Sequence, residues 1–156
     1  LGIATKAFKE HDVHIHFPAG AIPKDGPSAG LAITLAVASV LSERPVRRDI
    51  AMTGEVTLRG RILEIGGLKE KALAAYRAGL RHIILPKSNE KDLRDVPAEV
   101  RANMTFTFAQ TMDEIVLLAL LPHGRAAVAD FGPLQETEPA VKPAAADREV
   151  TIGTRG

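Results

Sequence analysis

The sequence contains no cysteine and no tryptophan among its 156 residues. Without cysteine there can be no disulfide, no thiolate zinc site and no cysteine nucleophile. Such a composition suits a reducing compartment, and a cytoplasmic location is expected. Aromatic residues make up only 4% of the chain, so stacking platforms for nucleic-acid bases are not expected. Neither charge sign dominates. The formal net charge of +1 gives no reason to expect nucleic acid or an acidic membrane as the main partner. No apolar run reaches the length of a membrane span, and no signal peptide opens the chain. Internal repeats are absent.

What is present is ordinary for a globular domain: 46% hydrophobic and 25% charged residues, in a length that can bury a sizeable core. The chain starts at Leu1 without a methionine, and a fragment of something longer is expected. Its centre is the stretch Pro23-Lys24-Asp25-Gly26-Pro27-Ser28-Ala29-Gly30. Two prolines and a glycine mark a tight turn there, and a long apolar run with many small residues follows. A buried helix over 28–43, ended by Pro45, is expected. A hydroxyl at such a helix start lies close to unpaired backbone N–H groups and the positive end of the helix dipole. Ser28 is then poised to attack a carbonyl, with donors nearby to hold an oxyanion. Two other readings of Ser28 stay open at this point: a simple helix cap, and a turn that binds phosphate.

Upstream, residues 1–9 read as a helix end or a loop. Residues 11–17 alternate, with Val13, Ile15 and Phe17 on one face of a strand and His14 and His16 on the other. Two histidines two apart could touch a metal, but no third ligand is evident and no metal site is expected. Downstream, 49–58 reads as a strand with Gly54 inside it, Arg59-Gly60 as a turn, and 61–65 as the second arm of a hairpin. Gly66-Gly67 precedes an amphipathic helix closed by Gly79. Leu68, Ala72 and Ala75 share one face of that helix, with Lys71 beside it. Lys69 lies about 200° around the helix from Lys71, so both cannot enter one cleft. A short buried strand at 82–85 stops at Pro86. Ser88 is expected to cap a short helix over 89–93. A last strand covers 104–109, and Thr111 caps a helix over 112–121 with Glu114 placed for a capping box. Together these elements predict an α+β domain over 1–121 with a mixed sheet, followed by a flexible Ala/Pro-rich tail over 122–156.

A serine nucleophile needs a base. No histidine of this chain has an obvious acidic orienter, and a lysine can serve if it is neutral in a dry site. Lys71 is the candidate; its alternative is a solvated helix lysine.

Three stretches in order, Pro23 through Gly30, Met52-Thr53-Gly54-Glu55-Val56-Thr57-Leu58-Arg59-Gly60, and Ile65-Gly66-Gly67-Leu68-Lys69-Glu70-Lys71, resemble the proteolytic domain of the Lon family, in its bacterial and organellar branch. The likeness continues through Pro86-Lys87-Ser88-Asn89-Glu90-Lys91-Asp92-Leu93 and Asp113-Glu114-Ile115, and covers about residues 10 to 121. The resemblance implies an ATP-dependent serine endopeptidase acting on unfolded or damaged proteins. It makes Ser28 the nucleophile and Lys71 its general base. Thr53 would orient the lysine amine, and the backbone at Gly26, Pro27 and Ser28 would form the oxyanion hole. Asp25 would lie close to the dyad and favour a protonated Lys71, as in a resting or gated state; read from sequence alone, it is equally a turn-forming residue before Gly26. His14 and His16 would support the cleft.

The resemblance also implies a homo-oligomer, expected to be a hexamer, and an upstream ATPase module using ATP with Mg. This chain itself is expected to hold no cofactor: it has no G-x-x-x-x-G-K-[ST] loop. It departs from the family pattern at Ala19, where an acid is more usual, and at Glu64, where a proline is. The first strands of the family domain are also not recognisable ahead of the 11–17 segment. An alternative function follows from those departures: an inactive Lon-type module kept for oligomerisation or peptide binding.

Overall fold

The computed structural model of the chain describes residues 1–10, 12–16 and 26–123. Among these, the order of elements is α1 (Ala7–Glu10), α2 (Gly30–Ser42), β1 (Ile50–Met52), β2 (Glu55–Val56), β3 (Ile62–Leu63), α3 (Leu68–Arg77), β4 (His82–Pro86), a 3₁₀ segment (Lys87–Asp95), α4 (Ala98–Asn103), β5 (Thr105–Ala109) and α5 (Met112–Ala119).

Three strands form a parallel sheet in the order β1-β4-β5, with Ile50 opposite His82 and Ile83 opposite Phe106. β4 sits in the middle and is covered on both faces. Its run His82-Ile83-Ile84-Leu85-Pro86 is buried from Ile83 onward, as expected of a central parallel strand. The two-residue period of a strand splits this run between two cores. Ile84 packs with Leu31 and Leu35 of α2 and Ile115 and Ala119 of α5. Ile83 and Leu85 pack with Leu68, Ala72 and Ala75 of α3 and with Val96, Val100 and Met104. The result is a three-layer sandwich. Both crossovers, β1 to β4 through α3 and β4 to β5 through α4, run over the same face. That follows from one connection handedness applied twice in one direction across the sheet.

The α+β reading holds, and parallel and antiparallel pairing are divided between two sheets. β2 and β3 make their own antiparallel ladder, with Glu55 opposite Leu63 and Val56 opposite Ile62. The single strand expected over 49–58 is in fact two strands. The chain leaves the parallel sheet after Met52 because Gly54 must pass the start of α2 at close range. Its N–H donates to the Ser28 carbonyl at 2.9 Å and its carbonyl accepts from the Leu31 N–H at 2.9 Å. A side chain at Gly54 would meet Ile62 at 3.0 Å and Leu31 at 3.4 Å, so only glycine fits without displacement.

Other expectations need correction. Residues 12–16 form no strand. Among the described residues they have no neighbouring strand, and an alternating pattern cannot make a ladder by itself. α2 begins at Gly30, two residues after Ser28. Pro86 is the last residue of β4, paired with Ala109, and not the residue that stops it. The segment after it is 3₁₀ in character, begins at Lys87, and takes no cap from Ser88. α4 was not expected; six residues starting behind Pro97 are too short for a periodic signal. At α5 the cap is as read: Thr111 accepts from the Glu114 N–H, and its hydroxyl donates to the Glu114 carboxylate at 2.9 Å. Residues 124–156 lie outside the described residues, and with them nearly all of the expected tail. No described helix is long and apolar enough to cross a membrane.

Candidate active site

Ser28 lies in the turn that leads into α2. The N-cap position belongs to Ala29, and no side chain caps the helix. The cap reading of Ser28 therefore fails. The phosphate reading loses support too. Three of the first four N–H groups of α2 are already taken: Gly30 donates to the Pro27 carbonyl, Leu31 to Gly54 and Ile33 to Ala29, at 2.9, 2.9 and 3.0 Å. An anion would find few free donors there.

The Ser28 turn is held mainly through one atom. Its carbonyl oxygen accepts from the Gly54 N–H at 2.9 Å and from the Thr53 hydroxyl at 3.1 Å. Thr53 is one of two buried polar residues in the described structure. A carbonyl has two lone pairs, and both are used here. Thr53 thus ties the serine turn to the end of β1, where its own N–H donates to Ile84 at 3.2 Å. It does not line the cleft described below. Having donated its proton, the hydroxyl keeps acceptor capacity.

Lys71 stands in the first turns of α3. Gly67, at φ +66, is the residue before that helix. The left-handed turn there costs glycine little and would strain any other residue. It brings the lysine amine back over the glycine: Nζ lies 3.9 Å from where a Gly67 side chain would begin. Leu68, Ala72 and Ala75 bury the inner face of α3 as read. Lys71 is half-buried and Lys69 exposed, so the helical spacing separates them as expected.

Ser28 and Lys71, which are 43 positions apart, line one cleft of about 270 Å³. Gly26, Pro27, Glu55, Glu64, Ile65 and Gly66 complete its wall. Of the proposed oxyanion donors, Pro27 drops out because proline carries no N–H, which leaves the amides of Gly26 and Ser28. Glu55 and Glu64 make the cleft acidic and were not read as site residues. The available signal was their placement, Glu55 next to the close-approach Gly54 and Glu64 just before Ile65-Gly66-Gly67. Glu64 is matched by Lys91 at 3.0 Å, and this hydrogen-bonded carboxylate raises the Lys91 amine above its ordinary value.

His14 and His16 are exposed and face elsewhere. They line a larger groove of about 900 Å³ with Val13 and Ile15 and the outer side of α2, including Ile33 and Val37. The larger cavity is thus mostly apolar and separate from the serine and lysine. No three His, Cys, Asp or Glu side chains cluster as metal ligands among the described residues. Asp25 lies outside the described residues.

The family model for the Lon protease (S16) C-terminal proteolytic domain matches residues 1–122. The chain belongs to this family. Relatives agree with it. Lon protease 2 of Thermus thermophilus is 59% identical over 121 residues, which is 78% of this chain and 15% of that protein. Lon protease of Dictyoglomus thermophilum is 54% identical over 121 residues, with the same shares. Lon protease of Fervidobacterium nodosum is 58% identical over 116 residues, or 74% of this chain and 14% of that protein. The chain spans about 15% of the length of these curated relatives.

Proposed function

We propose that this Lon-family domain is a serine endopeptidase whose nucleophile is Ser28 and whose general base is Lys71. The observation that carries the reading is their meeting in one cleft from separate elements, the turn before α2 and the start of α3. The Ser28 hydroxyl attacks the carbonyl carbon of a peptide bond while the lysine amine takes its proton. The amides of Gly26 and Ser28 donate to the oxyanion. The intermediate collapses, the lysine returns the proton to the leaving amine, and an ester to Ser28 remains. Water then attacks the ester while the lysine again accepts a proton, and as the acid product leaves the lysine returns that proton to the Ser28 oxygen.

The wider reading follows from the resemblance to the Lon family, and the relatives named Lon proteases support it only at the level of that family. In this proposal the substrates are unfolded or damaged proteins, the working form is a homo-oligomer of six copies in the cytoplasm, and an upstream ATPase module feeds substrate by hydrolysing ATP with Mg. Thr53 serves the dyad through the Ser28 turn. The test is cleavage of an unfolded protein by the chain beside its Ser28→Ala and Lys71→Ala variants, with and without the ATPase module in the same polypeptide. Loss of cleavage in both folded variants is the expected result. Equal residual cleavage in either one would rule the dyad out. A chain that is inert in every form yet binds unfolded peptide would favour the non-catalytic module.

A further inference from the structure

Asn89 is fully buried, and nothing in the chemistry above uses it. It lies on the 3₁₀ segment behind the lysine wall of the cleft. Its side-chain oxygen accepts from the Ile65 N–H at 3.0 Å, and its side-chain nitrogen donates to the Ile65 carbonyl at 2.8 Å. The second amide proton goes to the Asp92 carboxylate at 2.8 Å. Three bonds use the amide fully on its donor side and fix which way it points. Reversed, it would set a donor against the Ile65 N–H and an oxygen against two acceptors. Ile65 lies beyond the end of β3 (Ile62–Leu63), and among the described residues no strand pairs with it there. The amide of Asn89 therefore does what a neighbouring strand would do, pairing both backbone groups of one residue.

Ile65 is the joint from which the cleft's lysine wall is hung. Glu64, Ile65 and Gly66 line the cleft, Gly67 turns left-handed, and Lys71 follows within the first turns of α3. The first helical bond at this site, Lys71 N–H to the Gly67 carbonyl at 3.1 Å, starts from that turn. We propose that Asn89 is a positioning residue for Lys71: by clipping Ile65 it sets where the Gly66-Gly67 turn begins and hence where the lysine amine enters the cleft. This rests on the reading of Lys71 as the working lysine. A leucine in place of Asn89 would fill nearly the same volume but leave Ile65 unpaired, so packing and positioning can be separated.

The test uses the full chain with Asn89→Leu and Asn89→Ala, each first shown to be folded by thermal unfolding. Amide hydrogen exchange reads Ile65 against Ile83 in the central strand. Competitive acetylation with acetic anhydride, read by mass spectrometry, gives the reactivity of Lys71 relative to the exposed Lys69. Exchange at Ile65 is expected to speed up about tenfold with Ile83 unchanged, as for loss of one buried clip. The Lys71-to-Lys69 ratio is expected to change about threefold or more, and phosphonylation of Ser28 by a fluorophosphonate, with loss of fluoride, to slow about tenfold, as for a misplaced reacting group. An unchanged Lys71-to-Lys69 ratio in a folded variant would overturn the proposal whatever happens at Ile65. Failure of both variants to fold would also overturn it, since Asn89 would then hold the fold at large. Absence of Ser28 phosphonylation in the unaltered chain would count against the dyad alone; the lysine ratio still decides the role of Asn89.

Discussion

The two walls of the cleft are held by different means. The serine wall is held mostly by main chain, with the Thr53 hydroxyl as its one side-chain tie. The Ser28 carbonyl accepts two hydrogen bonds from the Thr53-Gly54 corner, and the Gly54 carbonyl accepts from the Leu31 N–H. The lysine wall is held by side chains, with Asn89 on Ile65 and the inner face of α3 sunk in the core beneath Ile83 and Leu85. Each wall rests on a different face of the same sheet. The central strand β4 is the common frame: Ile84 looks to one core and Ile83 and Leu85 to the other. The proposed nucleophile, held largely by backbone, tolerates little change in the glycine that approaches it. The proposed base, delivered by a helix, tolerates surface change on that helix but not at its root.

That difference can be broken at either wall. The largest effect is expected from removing the reacting groups: Ser28→Ala and Lys71→Ala should each lower peptide cleavage by about a thousandfold or more, and the double variant should be no worse than either single. Additive losses would show that the two do not act as a unit. Next, Gly54→Ala should destabilise the chain by about 1–3 kcal/mol, because its new methyl meets Ile62 and Leu31. A denaturant midpoint unchanged from the parent would show that the serine wall is softer than its contacts imply. Thr53→Val keeps the shape and leaves the Ser28 carbonyl one partner, so a cost of about 1 kcal/mol is expected. A loss of cleavage far beyond that in the folded variant would place the hydroxyl on the lysine as well.

A smaller effect comes from His82, away from the cleft. Burial is the first cause that pushes its imidazole below the ordinary histidine value, helped by the Arg47 guanidinium and opposed by Asp49. Its ring nitrogen sits 2.8 Å from the Thr107 hydroxyl. The folded form thus resists a proton that the unfolded chain accepts. Stability should be full above about pH 6.5 and decline as pH falls through that value toward the lower folded one. His82→Gln should flatten this window in urea titrations at several pH values; an unaltered slope would assign the window to another group. Asp49, lowered first by its hydrogen bond to Arg47, acts in a separate range and weakens the fold only as the acid region is reached. Smallest of all, Lys69→Ala should leave cleavage within about twofold, since surface changes away from special features do little. A loss like that of Lys71→Ala would mean that α3 turns in the working assembly.

Much of this was legible in the chain. The helical spacing of Leu68, Ala72 and Ala75 set the inner face of α3 and put Lys71 beside it and Lys69 away. The Thr111 and Glu114 pair marked the start of α5. These are local signals, carried by residues three and four apart. The reading of 49–58 as one strand failed for a non-local reason: the break at Gly54 is imposed by α2 passing close by. Of the strand expected at 11–17, the described residues 12–16 form none, because pairing depends on a partner the pattern cannot supply.

The order of amino acids alone therefore determined the family, and marked the two lengths of chain that carry the proposed dyad, the turn around Ser28 and the helix start at Lys71. Whether those lengths meet was decided only by tertiary structure. Their meeting depends on β4, whose alternate side chains feed two cores, and on Gly54 and Asn89, each bonding to backbone 23 or more positions away. Contacts at that separation are set by the packing of the whole sheet, and no periodicity along the chain records them.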